Sequence, residues 1–537
     1  MKTGLSYKQH PVDDNYEVII VGSGMGALAT GAILAKEGKK VLILEKHYTA
    51  GGFTHVFKRK NYEWDVGLHY VGSLDKDTRM MKRMFDYVTD GRLQWADMGE
   101  TYDRILFGKE EYRFVKGVQN WKEQMKTYFP NAADVQAIDA YVDLVFKAAS
   151  AAWPYFAEKA LSPWMSWVAG WFMRSKFLRL SRPTTLEVLQ SLTRNKKLIG
   201  VLTGQYGDYG LPPAQSSFAM HAMLVKHYFN GGYYPIGGAG KIAESILPVI
   251  EAAGGKLYTN AEVTRILVKN QQAIGVKMAD GRELLAPVVI SDAGFMNTFG
   301  RLLPAEITQK IGYQVKLGLL EPSASHISLY LGLPHSAEAL RLPKANYWIY
   351  PDNYDHDANL KNYESDPEAP LPVVYISFPS AKDPDFQNRY PGRSTIEIIG
   401  FAPYPWFQKW EGTRWNKRGS DYEALKEKLI KRLLEHLFNV EPQVKGKIEH
   451  AELSTPLSTA NFVNYARGEI YGLAHTPRRF QCSFLRPRTP IKNLLLTGQD
   501  ITTCGIGGAM MAGVLTASAL LGRNMMQHIL RATEAAA

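Results

Sequence analysis

Cysteine is nearly missing from this chain: Cys482 and Cys504 are the only two in 537 residues. That excludes a disulfide scaffold and any Cys-rich metal site, and it suits a reducing compartment. No Ser-His-Asp set, paired-His zinc spacing or P-loop occurs, so hydrolase, metalloenzyme and kinase readings find no support and no metal is expected. The stretch from Met1 to Asn15 is polar and has no apolar run of signal-peptide length. A cytoplasmic, non-secreted protein is the expectation. Repeats are absent, and low complexity is confined to the last few alanines. The net charge is +11, yet there is no compact Lys/Arg tract, zinc-finger spacing or RNA-binding aromatic motif. Nucleic acid is therefore a poor partner, and an anionic membrane surface a better one. A hydrophobic content of 45% and a charged content of 21% describe a folded protein of two or three domains.

What the chain does contain is concentrated between Tyr16 and Glu45. Tyr16-Glu17-Val18-Ile19-Ile20-Val21 reads as a strand, Gly22-Ser23-Gly24-Met25-Gly26-Ala27 as a glycine turn, and Leu28 to Lys36 as a helix ended by Gly38. Val41 to Leu44 is the next strand, closed by Glu45. This is the dinucleotide-binding fingerprint in its full context. Gly22 permits the tight turn, Gly24 admits a pyrophosphate to the backbone, and Ala27 lets helix and strand pack. Free N–H groups at the helix start face the phosphates. Glu45 can accept from the ribose hydroxyls, and Lys46 beside it joins the expected cofactor-binding set.

Later segments point to FAD. Gly51-Gly52-Phe53 follows Glu45 closely, and the glycine pair lets backbone N–H groups reach a second phosphate region and the ribityl chain. Ala261-Glu262-Val263 offers main chain to an adenine edge. Val288 to Gly294 is a strand running into a glycine. Leu494 to Leu496 leads through Gly498 to Asp500, which can accept from a ribityl hydroxyl or cap a helix. Gly507-Gly508-Ala509 begins a helix whose positive end can sit under the flavin's pyrimidine edge. Only one full fingerprint exists, so no second site for NAD(P)H is written here and the reductant stays open.

The pattern of elements is α/β plus α+β. A Rossmann-type FAD-binding domain is expected from three segments, 12–75, 231–298 and 457–537, with a substrate domain inserted twice, at 76–230 and 299–456. Helices are expected at Ala133 to Trp153, Thr185 to Leu202, Lys241 to Ala253 and Asp421 to Phe438, and a hairpin pairing Gln272–Met278 with Arg282–Val289. The uncharged run Ile501 to Gly522 is long enough to span a membrane, but it is rich in Gly, Ala, Ser and Thr and reads as a buried helix.

Residues 153–180 stand apart. Trp153, Trp164, Trp167 and Trp171 occur with Lys159, Arg174, Lys176 and Arg179 flanking them. The uncharged run is too short to cross a bilayer. It suits a helix lying in the membrane interface; a core helix or a dimer contact is the plain alternative. Oligomeric state is open.

Taken together, the chain resembles the flavin amine-oxidase-like superfamily, and within it the phytoene desaturase, carotenoid isomerase and retinol saturase branch. The resemblance is carried by Gly51-Gly52-Phe53-Thr54-His55, Asp65 to Gly72, Gly207-Asp208-Tyr209-Gly210-Leu211-Pro212-Pro213, His221 to Gly240, Gly468 to Gly472, and Thr497 to Gly505. It is greatest to the retinol saturases. It implies FAD-dependent redox chemistry on a carbon–carbon double bond of a long polyene lipid, most simply saturation. Desaturation, redox-neutral isomerisation, and a non-catalytic lipid carrier on the same fold are the alternatives. Such a lipid is expelled from water by on the order of 15 kcal/mol for twenty carbons, so an apolar tunnel and peripheral membrane contact are expected. Candidate proton donors are His69, Tyr70, His227 and Tyr233, with Tyr228 and Tyr234 beside them. Each also has a packing or orienting reading.

Overall fold

The structure, a computed structural model, describes residues 3–13 and 15–534. Two short runs of β-branched and leucine residues, Val18–Val21 and Val41–Leu44, are buried on both faces. Such strands belong inside a parallel sheet covered on both sides. They pair in register, Val18 to Val41 through Val21 to Leu44. Lys256–Thr259 and Leu5–Ser6 extend the sheet on one side, and Val288–Ser291 and Leu494–Leu496 on the other; every pairing is parallel. Because Leu5–Ser6 pairs here, the nucleotide-domain sheet begins before the expected start at residue 12.

One face of this sheet is covered by the helices Met25–Lys36, Lys241–Glu251 and Gly505–Leu521. Gly513 brings the first and last of these together: a Cβ there would lie 2.7 Å from the Ala29 Cβ and 3.0 Å from the Gly26 carbonyl oxygen. The run expected to be a buried helix is one, with Ala512 through Ala519 buried. Among the described residues no single helix is long and apolar enough to cross a membrane. The other face carries the antiparallel meander Val263–Lys269, Gln272–Met278 and Glu283–Leu285. The expected hairpin therefore stops at Leu285. Pro287 has no N–H to give the ladder, and the chain leaves to become Val288–Ser291 in the main sheet.

The second layer set is built on a seven-stranded mixed sheet, ordered His450–Ser454, His326–Leu333, Ser394–Phe401, Val374–Ser377, Asn346–Tyr350, Thr101–Phe107 and Glu110–Val115. Leu429, Leu433 and Leu437 of the helix Ser420–Val440 recur at one-turn spacing and close one face. The other face looks into a helical layer that includes Ala132–Glu158 and Phe218–Tyr228. The single helix expected over Thr185 to Leu202 is two, Thr185–Leu192 and Lys196–Leu202. Asn195 starts the second: its side chain accepts from the Lys197 N–H at 3.0 Å and the Leu198 N–H at 3.3 Å, a cap the apolar periodicity concealed.

The tryptophan-rich segment is also divided. Trp153 belongs to Ala132–Glu158, and a separate helix, Pro163–Ser181, follows a short turn. That second helix is inside out. Ser166, Gly170, Phe177 and Ser181 are its buried positions, while Trp164, Trp167, Trp171 and Phe172 are 69%, 86%, 77% and 79% exposed. Gly170 leaves room for the anchoring side chains, since a Cβ would lie 2.8 Å from Arg174 Nη1 and 3.0 Å from Glu158 Oε1. Glu158 anchors the helix by accepting from Arg174 Nη1 at 2.6 Å and from the Ser166 hydroxyl. Lys159 corrects the sequence expectation. It is not a surface group near lipid but is buried, donating to the carbonyls of Leu485 and Ile501 at 2.8 Å each.

Candidate active site

The glycine turn lies where helix, strand and loop meet, and it has no spare room. A Cβ on Gly24 would fall 2.5 Å from Asp292 Oδ2, and one on Gly26 would fall 2.5 Å from the Gly498 nitrogen. Gly22 has φ +97° and Gly51 φ +118°, conformations that favour glycine. Gly52 approaches Gly24, with only 3.0 Å from its notional Cβ to the Gly24 Cα. Gly51 donates its N–H to the Ser23 hydroxyl at 3.1 Å. The two glycine turns thus form one backbone cradle.

The helices Met25–Lys36 and Gly505–Leu521 both begin at this cradle, and neither has a side-chain cap. At the first of them the Ala27 N–H already meets the Asp292 carboxyl, and the other first-turn N–H groups can face a ligand. Two uncapped helix starts over glycines that reject a Cβ match a diphosphate and a flat ring system, so the residues present fit a dinucleotide.

Glu45 is more committed than the sequence suggests. Its Oε2 accepts from the Ser23 N–H at 2.9 Å and the Ser23 hydroxyl at 2.6 Å, and its Oε1 accepts from the His47 N–H at 2.7 Å. It shapes the turn and keeps little free capacity for a ribose. Lys46 pairs with Glu262 at 2.9 Å at the cavity edge. Phe53, Val263, Gly294, Gly498, Gly507, Gly508 and Ala509 all line the cavity, as expected of cofactor-binding positions. Ala27 does not; it is buried in the helix–sheet core. Asp500 lines the cavity but is likewise occupied. Its Oδ2 accepts from the Phe295 N–H at 2.7 Å and its Oδ1 from the Leu473 N–H at 3.2 Å. It fastens three loops together rather than capping the last helix.

Asp292 was not legible as a site residue, although the strand–glycine run containing it was. Burial pushes its carboxyl up to about 7, against the backbone N–H of Ala27, while Glu45 raises it further. An acid poised there faces the same cradle a diphosphate would enter.

From the cradle the cavity, about 620 Å³, continues without a break into the second domain. Its apolar limb is lined by Trp348, Tyr375, Ile399 and Phe401 of the seven-stranded sheet and by Ala152, Phe156, Met220 and Leu224 of the helices. Met80, Phe146 and Trp153 line it and are 37–39% exposed, so the limb reaches the surface beside them. Trp153 sits about one turn before Glu158, the anchor of the exposed tryptophan helix.

The expected proton donors separate. His69 and Tyr70 line the cavity, as do His227 and Tyr228. His69 Nδ1 lies 2.9 Å from Glu397 Oε2, poorly aligned for a hydrogen bond. Burial, then the charge of Lys382, pushes this imidazole down to about 3. Burial pushes Glu397 up to about 8, so the pair is neutral. His227 accepts the Gly72 N–H on Nε2 at 2.8 Å, and burial pushes it down to about 4. It orients the loop after Tyr70 and is a poor acid. Tyr233 lies outside the cavity, in a two-stranded ladder opposite Asp97, and Tyr234 outside it donates to Asp65. Tyr70 stacks on Tyr228 with ring centroids 4.2 Å apart, and its hydroxyl oxygen lies 3.0 Å from Asp103 Oδ2 and 2.9 Å from Asp208 Oδ2. Asp208 also lines the cavity; in sequence it stands out only as part of the Gly207 to Pro213 motif.

Sheet order, cradle and cavity together define a Rossmann-type dinucleotide-binding fold joined to a second sheet that walls an apolar cavity. Residues 20–88 match the model of the NAD(P)-binding Rossmann-like domain family. The fold resembles cyclohexylamine oxidase from Brevibacterium oxydans, with a TM-score of 0.56 over 97% of this chain and 100% of that one, at 14% identity. All-trans-retinol 13,14-reductase of Danio rerio is 37% identical over 96% of this chain and 87% of its own. The chloroplastic prolycopene isomerase 2 of an Oncidium hybrid cultivar is 26% identical over 93% of this chain and 80% of its own. The chain belongs to the all-trans-retinol 13,14-reductase family.

Proposed function

We propose that this protein binds FAD and reduces a carbon–carbon double bond in a long apolar polyene, a retinoid or carotenoid, taken from a membrane to which it binds peripherally from the cytoplasmic side. The observation that carries the reading is the single cavity that joins a dinucleotide cradle to an apolar limb reaching the surface near the tryptophan helix. Both cysteines are free and buried, which suits a reducing compartment. FAD, once bound and reduced by NAD(P)H or another reductant, would supply the hydride. The starts of the two helices and the backbone of Gly24, Gly51 and Gly52 would hold its diphosphate. Trp348, Ile399, Phe401 and Phe156 wrap an apolar chain, exclude water and set the double bond in place, where an unactivated alkene gains most from positioning.

The test is anaerobic incubation of the FAD-loaded protein with chemically reduced flavin and all-trans-retinol. A product heavier by two hydrogens is the expected result. Unchanged mass with a new isomer would make it an isomerase, loss of hydrogens a desaturase, and a colourless lipid-binding protein a carrier.

Asp292 gives a second expected result. A diphosphate beside it favours the protonated acid, so binding takes up a proton once the pH exceeds the carboxyl's free value near 7. FAD affinity should be flat in the acid range and fall by up to about tenfold per pH unit above it. Asp292→Asn should flatten the profile. Fluorescence titration between roughly pH 6 and pH 9 reads both.

A further inference from the structure

Tyr70 stands between two carboxyls, and its hydroxyl has one proton to give. Two ionised carboxylates cannot both be served by it, so one contact must run the other way, from a protonated carboxyl to the phenol oxygen. The surroundings decide which. Asp103 accepts from the Gln205 amide at 2.7 Å and from the Asn346 amide at 2.9 Å, both suited to a carboxylate. Among the described residues the Asp208 carboxyl has Tyr70 as its one hydrogen-bond partner, and it opens onto the cavity. The shared proton therefore sits on Asp208. The array reads Asp208–H to Tyr70–H to Asp103 carboxylate.

We propose that Asp208 is the catalytic acid of this cavity and Tyr70 its relay, with Asp103 as the positioning residue that orders the pair. The proposal rests on the alkene-reductase reading given above. One alkene carbon gains a hydride from reduced flavin, which is thereby oxidised. The π electrons take the Asp208 proton at the neighbouring carbon, and the double bond becomes single. Asp208 is left as a carboxylate. The Tyr70 hydroxyl can then turn its proton from Asp103 to Asp208, holding the new charge until solvent restores the proton. Burial, then the neighbouring Asp103, pushes Asp208 up to about 8, opposed by Tyr70 and Lys382. Burial likewise raises Asp103, against its amide donors. Around Asp208 stand the phenols of Tyr228, Tyr350, Tyr375 and Tyr471, the Cys504 thiol and Lys382, which burial pushes down to about 7 and whose amine donates to the His69 carbonyl at 3.0 Å and to the Ser377 hydroxyl at 2.7 Å. The acid thus retains its proton at neutral pH, whereas His69 and His227 have none to spare.

The test uses the FAD-loaded protein and two readouts. Infrared difference spectroscopy at neutral pH should show a protonated-carboxyl band that disappears in Asp208→Asn. In single turnover with reduced flavin and all-trans-retinol, Asp208→Asn should be slower by about 10²- to 10⁴-fold, with FAD content unchanged. Asp208→Glu should recover part of the rate, and the alkaline fall of the wild-type profile should be missing from the residual activity of Asp208→Asn. A wild-type rate in Asp208→Asn overturns the proposal with the function intact, and so does a wild-type-minus-variant infrared difference spectrum that contains no protonated-carboxyl band. A wild-type protein that saturates no polyene sinks the function and the donor role together, while the band still decides where the shared proton lies.

Discussion

Replacing Trp164, Trp167 and Trp171 together by serine is expected to weaken binding to anionic phospholipid vesicles by about a thousandfold. Each indole is at least 69% exposed, so the folded protein gains little from it and should lose little stability in the variant. Burying large apolar side chains is worth about 1.5–3 kcal/mol each, and at the lower end, suited to a bilayer interface, three of them sum to about 4.5 kcal/mol, a factor of about a thousand. The helix is built for this exposure. In its first half the inward positions are Ser166 and Gly170, which lie on Glu158, and Trp164, Trp167 and Trp171 face outward; Phe177 is buried further along. Lys176, Arg179 and Arg182 are exposed along the same helix and its end, and should add a component that weakens with salt. Sedimentation with vesicles reads the effect directly. Activity on retinol in vesicles should fall with binding, while activity on detergent-dispersed retinol should persist. Unaltered vesicle binding would remove this patch from the membrane reading.

The second large effect is expected from Gly26→Val. A side chain there would drive into the backbone of Gly498 and the Asp292 carboxylate, the former at 2.5 Å and the latter at 2.8 Å. Backbone cannot yield as a flexible side chain does, so the first turn of Met25–Lys36 must move off the strand end after Leu496. Overpacking of this kind costs about 1–3 kcal/mol, and it spreads the two halves of the cradle. FAD content in the purified variant should fall by about a hundredfold or more, read as loss of the visible flavin bands. Circular dichroism should still report a folded chain. Gly26→Ala, with a smaller clash, should retain part of the cofactor. Full FAD occupancy in the valine variant would place the dinucleotide elsewhere.

Much of the nucleotide half was legible. Strand, glycine turn, helix and acid lie within thirty residues, and each signal is local: an unbroken apolar run, positive-φ glycines, a glycine-flanked helix start. The roles of Glu45 and Asp500 were only partly legible. A carboxylate at the right spacing is visible in sequence, but the backbone N–H groups that already occupy it come from Ser23, His47, Phe295 and Leu473. Lys159 shows the same limit from the other direction. Beside a tryptophan run it resembles an interfacial cation, yet the turn after Glu158 carries it into the interior, where carbonyls of two distant loops receive it.

By itself the sequence determined that a dinucleotide cradle exists and roughly where, because turn geometry and helix starts depend on neighbours along the chain. Tertiary structure alone decided which groups hold protons. Tyr70, Asp103, Asp208, Asn346 and Lys382 come from five separate stretches and meet beneath one cavity. Whether a carboxyl keeps its proton depends on water excluded and charges brought near, and those are properties of the packed chain rather than of its order.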